Sequence, residues 1–277
     1  LFDTPGRLQV VTWFLTMTSK IQKVVSLAKQ TFYRNSINCS VDIHNSDKFA
    51  TLCAAVSQIV CQDVNLDLEK LEKQRKEKGS KASISFIEIY ENSDISVGIF
   101  VVFSGHVIPL HDHPGMHGIL KILTGSAKIQ SYSLLGQEEE RRVSNALVGD
   151  SKSKTVMNYV KSFHDRNLKQ DDVLITKRHR LQNVDSSSGF CILTPSESNI
   201  HEISADNGTV TFLDILSPPY DDFSDRTCHY YSATTPIFTT TLNSVSLPIE
   251  DIALMQRIPT PTDFRCISSN YEGPPVD

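Results

Sequence analysis

The pair His111-x-His113 constrains this chain more than any other feature. It lies in "GHVIPLHDHPGMHGILKILTG", from Gly105 to Gly125, with Pro109 ahead of it and Pro114 behind. Side chains alternate along a strand, so residues two apart share a face. Both imidazoles can then enter one cavity and bind one metal ion. The largely apolar run Ile119 to Leu123, stopped by Gly125, places that cavity between strands of a sheet.

The rest of the chain supplies such a sheet. From Ala82 onward come "SISFIEIYE", "ISVGIFVVFSG", "GILKILTGSAKIQSYSLL", "DDVLITK", "GFCILTP", "IHEISA" and "GTVTFLDILS". Many short runs rich in Ile, Val and Phe, at close spacing, predict an all-β sandwich or barrel. Gly136 to Asp171 is more polar and reads as a long hairpin excursion or loop. Past Ser217, "SPPYDDFSDRTCHYYSATTP" reads as irregular chain wrapping the core. Ahead of the sheet the periodicity is helical. Ile21, Val24, Val25, Ala28 and Phe32 form one stripe, in a helix that Met17 opens. Phe49, Leu52, Cys53, Val56 and Val60 form another, with Ser46 or Asp47 as its cap. "LDLEKLEKQRKEKGSK" predicts a solvated helix ending near Gly79. These helices are expected to cover the sheet.

Three parts follow: 1–16 as an extension or targeting remnant, 17–80 as a helical segment packing on the barrel, and 81–277 as the barrel domain. A net charge of −5 gives no electrostatic reason for a nucleic-acid partner, and no apolar run is long enough for a bilayer span. The six cysteines are scattered without a CxxC pair, the usage of a reduced, cytoplasmic protein. The start is acid-poor and Ser-rich, which leaves a mitochondrial transit peptide as the other reading of the N-terminus. Nothing in the sequence calls for oligomerisation, and a monomer is expected.

A Gly, five residues, His-x-His, three or four residues, Glu, six residues and Gly make the first half of a cupin metal site. Gly105, His111, His113 and Gly125 fit that spacing; Gly118 stands where Glu is expected, beside His117. The second half supplies one more His, for which His201 in "LTPSESNIHEI" is the best candidate. The fold class is thus an all-β cupin, a double-stranded β-helix or jelly-roll-like barrel, with N-terminal helices. His111, His113 and His201 are the expected metal ligands, and three imidazoles suit Fe, Zn, Cu and Ni about equally. His117 either supports a ligand or lies at the surface. His106 is read as packing, His44, His164 and His179 as solvated, and His229 stays open.

"IPLHDHPGMHGILKILTG", "CILTPSESNIHEISADNGTVTFLDILSPPYDD" and "DRTCHYY", with "PTPTDFRCISSNYEGPP" more faintly, resemble the family of cysteamine (2-aminoethanethiol) dioxygenases and plant cysteine oxidases. The resemblance covers roughly Ala82 to the C-terminus. It implies a non-haem Fe(II) thiol dioxygenase that uses O2 to convert a thiol to a sulfinic acid. Its substrates would be cysteamine, giving hypotaurine, or proteins with an N-terminal cysteine, marked in this way for an oxygen-dependent degradation route. The ligands carried over are His111, His113 and His201. Asp214 aligns with an acidic residue near the site, able to hold a His ligand or to accept a hydrogen bond from a substrate amine. The other reading is a solvent-facing strand residue; Leu213 and Ile215 on either side favour a buried polar site over a face shared with Phe212. Tyr220 is expected to line the pocket. Cys228 and Tyr230 match a Cys-x-Tyr pair that forms a thioether cross-link in animal relatives, set against a buried Cys and a core Tyr with no bond. The competing function is a non-redox metal-binding cupin acting as sensor or scaffold.

Overall fold

The computed structural model of the chain describes residues 18–33, 43–77, 81–149, 173–224, 226–234 and 251–277. Their strands are β1 (Ile84–Glu91), β2 (Ser96–Val102), β3 (Val107–Asp112), β4 (His117–Leu134), β5 (Val173–Arg178), β6 (Gln182–Asp185), β7 (Cys191–Leu193), β8 (Ile200–Ser217), β9 (Tyr230–Thr234), β10 (Ile252–Ile258) and β11 (Cys266–Ser269). They lie in the order β11-β1-β2-β8-β3-β9-β10-β5-β4-β6, with β7 also on β4. β4 then returns to pair with β8, which closes the sheet into a barrel. Only the β1–β11 ladder is parallel among these pairs. The expected closed β-barrel is what forms.

Two strands organise it. β4 and β8 are 18 residues long and pair with each other along most of that length. The register slips where Thr124 faces Thr211 but Ser126 faces Asp206. There Asn207 (φ 53°) and Gly208 (φ 133°) carry the extra residues of β8. Such irregularities bend a strand, so each long strand serves both halves of the barrel. "IHEISA" and "GTVTFLDILS" are therefore one bent strand.

Alternation along β2 and β8 divides the core. Val97, Ile99, Val101, Leu213 and Ile215 face outward and pack with the helices, while Val102, Phe212 and the half-buried Phe100 belong to the interior. Helix α1 (Lys20–Phe32) buries Ile21, Val24, Val25, Ala28 and Phe32, the stripe the periodicity predicts. Ser19 caps it by accepting from the Gln22 amide. Helix α2 (Asp47–Ser57) is capped by Ser46, which accepts from the Phe49 amide. Val60 lies beyond that helix and is exposed. Helix α3 (Leu68–Glu77) buries no residue fully, as its charge predicts. No helix among the described residues is long and apolar enough to cross a membrane.

Two expectations need correction. Gln137–Gly149 is a helix, α4, not a loop. Its signal is charge pairing: Glu138 meets Arg141 and Arg142 three and four residues on, a spacing that shares a helix face without an apolar stripe. Past Ser217 the chain is not wholly irregular, because β9 and β10 bridge β3 to β5 and complete the ring. Met17, Cys39 and His164 lie outside the described residues.

Candidate metal centre

A bulge turns the His-x-His pair inward. β3 pairs with β8 so that Ile108 faces Ile203 but His111 faces His201, three residues on one strand against two on the other. Ile108 lines the interior cavity. With a strict period of two, a residue three positions on would point outside. The extra residue at Pro109–Leu110 reverses that, and Pro109 suits the place because it has no N–H to give to a ladder. His111 and His201 then stand directly opposite each other, and His113 follows on the face of His111.

The three imidazoles converge. Their candidate ligand nitrogens lie within 4.8 Å of one another, and each residue is 8% exposed or less. The Nδ1 of His111 is 2.8 Å from the Pro109 carbonyl, and that of His113 is 3.1 Å from the Asn199 carbonyl. A carbonyl only accepts, so each Nδ1 must carry the hydrogen, which leaves Nε2 with a free lone pair. Burial disfavours the imidazolium and holds all three below the usual histidine value, His113 and His201 well below. Neutral, oriented imidazoles are the form a divalent transition metal needs. Gly118 explains the missing carboxylate. A Cβ there would meet Leu193 Cγ at 2.8 Å and Leu216 Cδ2 at 3.0 Å, so apolar side chains occupy the space next to it.

A cavity of about 450 Å³ opens beside the histidines and is also lined by Asp214, Tyr220, Cys228 and Tyr230. Each predicted site residue thus faces one space. Asp214 is on the same face as Phe212, contrary to the sequence reading, because that face is the barrel interior. Tyr220 donates its hydroxyl to the Asp112 carbonyl at 2.6 Å, so toward the cavity its oxygen can only accept. Cys228 lies within hydrogen-bond reach of Tyr220 and Tyr230, and burial pushes its thiol up to about 11. Tyr230 opens β9 and Cys228 lies in the irregular chain just before that strand.

Comparison with known proteins follows the same line. The PCO_ADO family model matches residues 55–276. The chain belongs to the PCO_ADO family. A 2-aminoethanethiol dioxygenase of Homo sapiens is 33% identical over 83% of this chain and 82% of its own length; that of Mus musculus is 30% identical over 94% and 97%. Plant cysteine oxidase 2 of Arabidopsis thaliana is 24% identical over 94% of this chain and 84% of its own.

Within this PCO_ADO barrel, the sequence reading missed Asp112. It sits between the two histidines and points to the opposite face. Its carboxylate accepts from the His229 amide (2.7 Å) and the Tyr231 hydroxyl (2.8 Å), and it meets His229 Nδ1 at 3.0 Å. These bonds tie the segment that carries Cys228 and Tyr230 to the strand that carries His111. An acid flanked by two histidines was the available signal. His44 and His179 are not solvated as expected. His44 Nε2 meets His117 Nδ1 at 2.8 Å and packs on Phe49, and His179 meets the Ser133 hydroxyl at 2.6 Å. His117 therefore turns toward the helices. His106, read as packing, accepts a hydrogen bond at Nε2 from the Arg75 guanidinium at 3.1 Å.

Asp214 makes stability depend on pH. Burial pushes its carboxyl from 3.8 up to about 7, against a smaller lowering by the Ile215 amide. Between those values the unfolded chain has released a proton that the folded chain keeps, so stability falls as pH rises toward 7. Metal-free Asp214→Asn should therefore melt above the wild type near pH ~8, with the gap narrowing toward pH ~5. Thermal unfolding at the two pH values checks this; a variant that melts lower at both would show that the carboxylate is stabilising.

Proposed function

We propose that this chain is an Fe(II)-dependent thiol dioxygenase, converting R–SH and O2 to R–SO2H. Its substrates would be cysteamine or the N-terminal cysteine of a polypeptide. The observation that carries the reading is the buried trio His111, His113 and His201 in a PCO_ADO barrel, beside a cavity open to a substrate. Three imidazoles without a carboxylate would hold the iron, and bound Fe(II) would supply open coordination positions where O2 takes four electrons from the thiol sulfur.

The chain's own groups account for the aminothiol. No Lys or Arg is among the described residues lining the cavity, so a substrate carboxylate meets no countercharge from them. Asp214 and the acceptor face of Tyr220 are instead suited to an amine. An ammonium beside Asp214 would favour its ionised form and so recover part of the cost of burying that carboxyl.

The test uses purified protein loaded with Fe(II) in air, offered cysteamine and, separately, a short peptide beginning with Cys. The expected result is a gain of two oxygen atoms on the thiol in the product mass. Bound iron with no gain on either substrate would instead support a metal-binding cupin without redox chemistry.

A further inference from the structure

The cavity is far larger than a two-carbon aminothiol needs, and the excess has a direction. Phe212 of β8 is two residues from Asp214 and on its face. Its ring stacks on Phe100 of β2 at 5.3 Å and 22°. Phe100 in turn stands 4.8 Å from Phe86 of β1. β8, β2 and β1 are successive strands, so the three rings form a ladder that leaves the histidines and crosses toward β11, the edge. Phe212 is buried, but Phe100 and Phe86 keep exposed surface and line the open cavity. Gly98 makes this possible. A Cβ there would lie 2.3 Å from the Phe86 ring, so the ring can cross β2 only over a glycine. Among the described residues lining the cavity, Glu91 is the one acid besides Asp214.

We propose that this aromatic ladder is the subsite for the residues following an N-terminal cysteine, and that it selects apolar side chains there. The inference rests on the thiol dioxygenase reading and names the polypeptides that such an enzyme prefers. The two half-exposed rings, Phe100 and Phe86, are 4.8 Å apart, between one and two extended residues at ~3.3–3.6 Å each, so the selection acts within the first few positions after the Cys. Half-exposed aromatic rings gain by covering their faces with Leu, Ile or Phe side chains. An acidic side chain would be desolvated there without a partner.

The experiment compares peptides beginning Cys-Leu-Leu, Cys-Gly-Gly and Cys-Asp-Asp on the iron-loaded protein. The expected kcat/KM is about tenfold or more higher for Leu than for Gly, the scale of apolar-pocket discrimination, and lowest for Asp. Phe86→Ala should bring the Leu-to-Gly ratio close to unity. Serine-initiated counterparts, which lack the thiol, should bind the metal-free wild type in the same order by calorimetry, with a negative heat-capacity change for Ser-Leu-Leu. Equal kcat/KM for the three cysteine peptides, or a preference for Asp, would overturn the subsite and leave thiol oxidation standing. If no thiol is oxidised at all, the dioxygenase reading fails, and the order of serine-peptide binding then decides the subsite alone.

Discussion

His201→Ala should lose bound iron and thiol oxidation together. The three imidazoles form the candidate ligand set among the described residues, and the place beside Gly118 is filled by Leu193 and Leu216, so no side chain at the usual carboxylate position can substitute. Removing one of three ligands should cost more than the ~10–100-fold typical of removing a group that only supports a ligand. The fold should persist, because the change takes a side chain that faces a cavity and leaves the β8 ladder intact. His117→Ala is the informative control. That histidine lies in the same motif but pairs with His44 outside the barrel, so the variant should keep its iron. Metal analysis and product mass, measured on the same preparations, check both. Retained iron with turnover in His201→Ala would remove His201 from the site.

Gly125→Ala should destabilise the protein far more than Gly105→Ala, although both glycines belong to the motif and have nearly the same backbone angle, φ 79° and 76°. The shared part is the strain of a left-handed residue with a Cβ, on the order of 1–3 kcal/mol. The neighbours differ. At Gly105 an added Cβ meets nothing within 4 Å; at Gly125 it would lie 2.4 Å from the Thr209 carbonyl oxygen and 2.9 Å from Val210 Cα. Those are backbone atoms of β8 at its register slip, and they cannot rotate away. Moving them displaces the strand that also carries His201 and Asp214. Against a typical total of ~5–15 kcal/mol, the added cost should leave Gly125→Ala largely unfolded or strongly lowered in Tm, with Gly105→Ala only modestly affected. Comparable Tm losses in the two variants would show that β8 yields at this point.

The spacing of His111 and His113, the apolar runs after Ala82 and the stripes of α1 and α2 were legible in the sequence because they are local. Alternation and helical periodicity act within a few residues. The two-part metal-site pattern pointed to His201, and the resemblance supplied Asp214, Tyr220, Cys228 and Tyr230; periodicity alone connects none of them to the histidines. α4 went unread because its first turns show charge spacing instead of an apolar stripe. What only the tertiary structure decided depends on neighbours distant in the chain. The bulge at Pro109–Leu110 settles which face the histidines take, and it exists only against the register of β8. Asp112 has meaning only once residues 229 and 231 reach it. The aromatic ladder needs β1, β2 and β8 side by side. Local preference sets what each segment becomes; register and burial, which are sums over distant partners, set what its side chains face.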